Sequence, residues 1–174
     1  MIIQNLTENL NFNKIKYNSV NGGNNESLES FPCQCSVIIM NSKESKNIIV
    51  SADLIWFSYS LVKKIRKKLF EQEGTKENEI VFCASHTHGS PNPDPNIGYG
   101  LNSKNIEKYL YQKIYLLICK TFKSEKIKVN VNYKVLKTDD LTINRRRKAF
   151  QFNSLPLFKM QSLPNKNKKV DKNI

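Results

Sequence analysis

Histidine is almost missing from this chain: only His86 and His88 occur, with Thr87 between them. That scarcity excludes a metal centre built from three imidazoles. A catalytic zinc takes about three protein ligands, so any further ligand here must be Asp, Glu, Cys or Tyr. Cysteine is sparse as well, at Cys33, Cys35, Cys83 and Cys119. Cys33-Gln34-Cys35 is spaced too closely for the usual zinc knuckle, and a disulfide within it would be strained. Cys83 falls in an apolar strand and Cys119 in an apolar helix stripe, so buried free thiols in a reducing compartment are expected. No run approaches the roughly 18 apolar residues of a membrane-spanning helix. Met1 to Asn5 lacks the basic start and long apolar run of a signal peptide, which leaves the cytoplasm as the default expectation. There is no aromatic ribonucleoprotein strand and no C2H2 finger, so no nucleic-acid partner is expected. No internal repeat is visible.

Acidic residues are the minority. Lys and Arg number 28 against 15 Asp and Glu, giving a net charge of +13. Most of the basic residues are lysines scattered among Asn and Ile, a pattern common in proteins from AT-rich genomes and read most simply as a solvated basic surface. The same charge suits an anionic membrane surface or an acidic substrate. With 174 residues, 39% apolar and 10% aromatic, the chain can build a core as one domain or as part of a larger one.

Periodicity orders the middle of the chain. Residues 1–30 are Asn-rich and read as a poorly ordered segment, with a strand expected near Asn13 to Tyr17. Cys35 to Met40 and Asn47 to Ala52 read as an antiparallel hairpin around the turn Asn41 to Ser45. Leu61, Val62, Ile65 and Leu69 recur at three and four, predicting a helix from Ser58 to Gln72 that Gly74 ends. Glu79 to Ala84 reads as a buried strand. Residues 89–102, with three prolines and three glycines, form a long loop able to wall a pocket, with Asp94 and Tyr99 as candidates to reach inward. A second helix spans Ser103 to Phe122. From Lys126 to Lys137, Ile127, Val129, Val131, Tyr133 and Val135 alternate with polar residues, the pattern of a half-buried strand. Past Asn144 order fades, and 151–174 reads as a basic, poorly ordered tail. The order β-β-α-β-α-β predicts an α/β fold, a mixed sheet with flanking helices.

His86 and His88 follow the strand that ends at Ala84. Side chains two apart point the same way on extended backbone, so an H-x-H there can aim two nitrogens at one metal. The plainer alternative is a pair of surface or capping histidines that only hydrogen-bond. Asp53 ends the preceding strand, where it can orient a histidine or cap the next segment. Asn144-Arg145-Arg146-Arg147 offers planar guanidinium forks for a carboxylate, phosphate or oxyanion, or is a plain basic loop. The metallo-β-lactamase pattern H-x-H-x-D-H fails, because Ser90 stands where its Asp would be. An amidohydrolase barrel needs roughly 250 residues.

Three blocks in order, Val50-Ser51-Ala52-Asp53-Leu54, Ala84-Ser85-His86-Thr87-His88 with Pro91, and Ile143-Asn144-Arg145-Arg146, resemble the amino-terminal region of neutral/alkaline (non-lysosomal) ceramidases and their bacterial relatives. The likeness covers roughly residues 30 to 150. Family members usually read H-T-H-[ST]-G-P; here Gly89 and Ser90 are exchanged. The resemblance implies hydrolysis of ceramide, or a related N-acyl lipid, to a sphingoid base and fatty acid with one zinc. It implies His86 as a zinc ligand, His88 as the histidine meeting the reacting amide or its tetrahedral intermediate, Arg145 as an oxyanion stabiliser, and Asp53 as a support. It also implies an incomplete domain, since the family's further His, Glu and Tyr come from far downstream. The chain then reads as an amino-terminal part whose carboxy-terminal remainder is supplied in cis or in trans, and weak zinc binding is expected. Two other readings compete: a non-enzymatic basic module for anionic lipid or nucleic acid, and a degenerate remnant with unpaired strand edges.

Overall fold

The computed structural model describes residues 1–12, 15–17, 19, 32–97, 103–137, 144–150 and 158–165. They fall into two compact units, Met1–Asn130 and Val131–Ile174. The first unit holds β1 (Ile2–Leu10), β2 (Cys33–Asn41), β3 (Lys46–Ala52), α1 (Tyr59–Glu73), a 3-10 turn (Glu77–Glu79), β4 (Ile80–Ala84), α2 (Ser103–Phe122) and β5 (Ile127–Lys128). Its five-stranded sheet runs β4-β3-β2-β1-β5. β3 and β4 are parallel, and the other neighbours are antiparallel. This is the expected mixed α/β sheet with flanking helices.

Register explains which face is buried. Ile39, Ile48 and Ile80 lie in one cross-strand row, Val37, Val50 and Phe82 in the next. These rows share one core with Leu61, Ile65 and Leu69 of α1 and Ile106, Leu110, Ile114, Leu117 and Ile118 of α2. Each fully buried aliphatic side chain contributes roughly 1.5–3 kcal/mol. Ser58 caps α1, its side chain accepting from the Leu61 N–H, and Gly74 ends it at φ +62, in the left-handed region that costs glycine little. Both helices fall where periodicity places them.

Four expectations are corrected. The amino terminus forms β1 at Ile2–Leu10 where a loose segment was expected; of the strand expected near Asn13 to Tyr17, residues 13 and 14 lie outside the described residues and 15–17 form no strand. Its inward face is polar in part: Gln4 is 2% exposed, and its amide donates to the carbonyls of Thr121 (3.1 Å), Phe122 (2.9 Å) and Ser124 (2.9 Å). Its two N–H groups are shared among these acceptors, two of which, Thr121 and Phe122, are orphan carbonyls at the end of α2. Within the alternating stretch 126–137, Ile127 and Lys128 pair with Ile3 and Ile2 of β1, and the Val129 N–H donates to Met1 O. Val131, Tyr133 and Val135 are 62%, 93% and 62% exposed rather than half-buried. Third, two strands lie past Asn144, where a loss of order was expected. β6 (Asn144–Phe150) and β7 (Phe158–Asn165) form an antiparallel pair in the second unit, inside the stretch read as loop and tail. Fourth, Cys83 is exposed, on the sheet face opposite the helices, whereas Cys33 and Cys35 are buried.

Replacing Gln4 with Ala strips the α2 terminus of its buried donor. Unfolding stability should fall by about 1–3 kcal/mol, read as a lower urea midpoint with an unchanged slope. An unchanged midpoint contradicts this role for Gln4.

Candidate functional site

Because β3 and β4 are parallel and in register, Ala52 pairs with Ala84 and both strands deliver their next residues to the same end of the sheet. The Ser85 N–H extends the pairing by donating to Ala52 O (3.0 Å). In open α/β sheets this carboxyl end is where binding residues gather. Asp53 arrives there from β3 and the two histidines from β4.

Asp53 is tied to β2. Its N–H donates to Gln34 O (2.8 Å), and its Oδ2 accepts from the Gln34 N–H (3.0 Å). The carboxylate thus anchors the strand end. Leu54 and Ile55 then turn inward and are buried, and Phe57 packs edge-on against Phe82 with ring centroids 5.2 Å apart.

His86 sits at φ +59, left-handed backbone that non-glycine residues seldom adopt. The extended H-x-H geometry expected from the sequence is therefore not what forms. The rings of His86 and His88 meet edge to face, centroids 5.1 Å apart and planes at 87°. His86 Nδ1 lies 2.7 Å from Ile55 O. A carbonyl can only accept, so Nδ1 carries the proton. In the neutral ring the lone pair is then on Nε2, the arrangement that metal-binding imidazoles use.

Ser90 is fully buried beneath this turn. Its Oγ accepts from the Ile55 N–H (2.7 Å) and donates to Thr87 O (3.1 Å). Pro91, Asn92 and Pro93 are also buried. Asn92 Oδ1 accepts from the Asp94 N–H (2.9 Å) and Asp94 Oδ1 from the Asn96 N–H (2.9 Å), so Asp94 holds the turn. Tyr99 lies outside the described residues. A cleft of about 480 Å³ opens beside the turn, lined by Cys33, Gln34, Asp53, Thr87, Gly89 and Ser90 among others.

Arg145 belongs to the second unit. It lies where the β6–β7 register slips between Asn144 and Arg146, opposite the Leu163-Pro164 step of β7. Proline cannot donate to a ladder, which fits an irregularity there. Asn144 Oδ1 accepts from the Arg146 N–H (2.9 Å), and Asn165 Nδ2 donates to Arg146 O (2.8 Å), fixing the backbone on either side. The Arg145 side chain lies outside the described residues. The structure thus gathers Asp53, His86 and His88 at one sheet end, each within the first unit. Sequence reasoning missed Ser90 and the Ile55 carbonyl; a lone Ser in a Pro-rich loop carries no signal of burial.

Among the described residues no three of His, Cys, Asp and Glu cluster as a metal site would require. They offer His86 Nε2 as a donor and do not complete a zinc site.

No protein-family model matches the chain, and no curated protein matches it. Its fold does have a solved counterpart. It aligns with a crystal structure of neutral ceramidase from Pseudomonas aeruginosa at a TM-score of 0.56 and 15% identity. The alignment covers 71% of this chain and 21% of that one. At that identity the likeness shows the fold.

Cys33 lines the cleft, and Cys35 lies two residues further along β2. Burial, with the nearby Asp53 carboxylate adding to it, pushes the Cys33 thiol from its ordinary 9.0 up to about 11. Burial, then Glu8 and Asp53, pushes Cys35 up to about 12. The folded chain holds these protons more tightly than the unfolded one. That stability is complete below about pH 9 and drains as pH rises toward 11–12. The urea midpoint should fall across that window, and at neutral pH a thiol alkylating reagent should reach exposed Cys83 well before Cys33 or Cys35. Equal labelling rates for the three in the folded chain contradict the buried placement.

Proposed function

We propose that this chain carries the amino-terminal part of a ceramidase-type zinc amidase site. In this reading His86 is a zinc ligand through Nε2, and His88 beside it meets the reacting amide. Arg145 stabilises the oxyanion, and Asp53 supports the site by anchoring the end of β3 to β2. The substrate is a ceramide-like N-acyl lipid, cleaved to a sphingoid base and a fatty acid. The observation that carries the reading is the bond from His86 Nδ1 to Ile55 O, which leaves Nε2 as the free donor at the carboxyl end of a parallel strand pair. The shared fold with a neutral ceramidase supports it. The remaining donors come from outside the described residues, on the same polypeptide or a partner.

Zinc titration against a chromophoric chelator tests this. The chain should bind zinc weakly, lose that binding on His86→Ala and retain most of it on His88→Ala. Hydrolysis of a fluorescent N-acyl sphingosine by the chain alone should stay at the buffer rate. Undiminished zinc binding by His86→Ala contradicts the reading.

One observation favours a second reading, a non-enzymatic module that docks on anionic lipid. At the other end of the sheet, Lys43, Lys126 and Lys128 line a cleft of about 530 Å³ together with Met1. Each lysine near an anionic surface contributes about 1 kcal/mol. Under this reading the chain sediments with phosphatidylserine vesicles but not with phosphatidylcholine ones, loses that binding as salt rises, and is weakened by Lys-to-Gln changes at these three positions. Vesicle binding indifferent to those changes removes it.

A further inference from the structure

We infer that Ser90 is a positioning residue for His86, acting through Ile55. Its hydroxyl is fully buried and spends both of its strong bonds on backbone: it accepts from the Ile55 N–H at 2.7 Å and donates to Thr87 O at 3.1 Å. The Ile55 carbonyl in turn accepts from His86 Nδ1 at 2.7 Å. Ile55 is thus gripped on both sides, by Ser90 at its N–H and by His86 at its carbonyl. The backbone from His86 through Thr87 to Ser90 closes the circuit, with a further contact from the Ser90 N–H to Thr87 O at 3.5 Å. One small hydroxyl therefore fixes the carbonyl that dictates where the His86 proton sits.

The strained backbone makes this grip necessary. At φ +59, His86 occupies a conformation that is costly for a non-glycine residue and persists only when its surroundings over-determine it. Gly89, between the histidine turn and Ser90, plays no such part: among the described residues, its chain neighbours aside, no heavy atom lies within 4 Å of where a Cβ would stand on it. The hydroxyl at residue 90 is the one that reaches Ile55. Without it the buried Ile55 N–H loses its partner, and relaxation of that segment withdraws the carbonyl from His86. The imidazole proton is then free to move to Nε2, the nitrogen a metal would need unprotonated.

The meaning of this for function rests on the reading of His86 as a metal ligand; the positioning itself does not. The test uses metal-free, histidine-labelled protein in a long-range 1H–15N spectrum, at a pH well above the ordinary histidine value of about 6.5. His86 and His88 are assigned with His88→Asn. In the wild type and in Gly89→Ser, His86 should show a protonated Nδ1 and a bare Nε2. In Ser90→Ala it should shift to a mixture rich in the Nε2–H form, while β2 and β3 amide shifts stay in place. Zinc affinity should fall roughly 10–100-fold, as it does when the partner of a ligating histidine is removed.

A His86 proton that stays on Nδ1 in folded Ser90→Ala overturns the inference. Should Ser90→Ala not fold, hydrogen exchange of the wild type decides. An Ile55 amide protected like the core strands supports the grip, and one exchanging like an exposed loop overturns it. If the wild type takes up no zinc and the tautomer still responds to Ser90→Ala, the zinc reading falls and the positioning role stands.

Discussion

The hydrogen bond from His86 Nδ1 to the Ile55 carbonyl, 2.7 Å long, is the contact on which the candidate site depends. It fixes a tautomer, holds left-handed backbone in place and joins the two loops that leave β3 and β4. A hydrogen bond of this kind is worth only about 1 kcal/mol to stability. Its weight lies in direction: an imidazole free to turn would offer a metal either nitrogen, and this one offers Nε2. Ser90 and the Asp53–Gln34 pair matter because they keep the two partners of that bond where they are.

Those contacts are held in place by the sheet. The parallel pairing of β3 and β4 brings Asp53 and His86 to one end, and the antiparallel additions of β2 and β1 give the helices a surface to cover. Gln4 closes the arrangement from far along the chain by satisfying the end of α2. A polar residue inside the core, answering carbonyls more than a hundred residues away, is a contact that only the folded chain reveals.

That is also why parts of the fold were legible in the sequence and others were not. β2, β3, α1 and α2 each bury an apolar stripe of the right period, and α2 runs from Ser103 to Phe122 as its spacing foretells; β4, read as a buried run, is instead an edge strand with Val81 and Cys83 exposed. β1 defeats the same reading because its inward positions include Gln4 and Glu8, polar residues justified only by tertiary partners. Residues 127–135 err the other way: the alternation is perfect, yet only Ile127 and Lys128 form β5 and Val131, Tyr133 and Val135 are exposed. β6, Asn144–Phe150, is nearly all polar and is held by ladder bonds that leave no apolar signature. At the site, the two histidines and Asp53 stood out by type and position. Ser90 and the Ile55 carbonyl did not, because their roles arise where two loops meet. The extended H-x-H geometry failed for a similar reason: pattern reading assumes ordinary backbone, and His86 departs from it.

The most direct test of the account is where a metal sits on His86. Crystals of the full chain soaked in zinc and measured at the zinc absorption edge should show an anomalous peak at bonding distance from His86 Nε2, with Nδ1 still on the Ile55 carbonyl. A peak on Nδ1, with the Ile55 bond broken, or zinc bound only at sites away from His86, would contradict it.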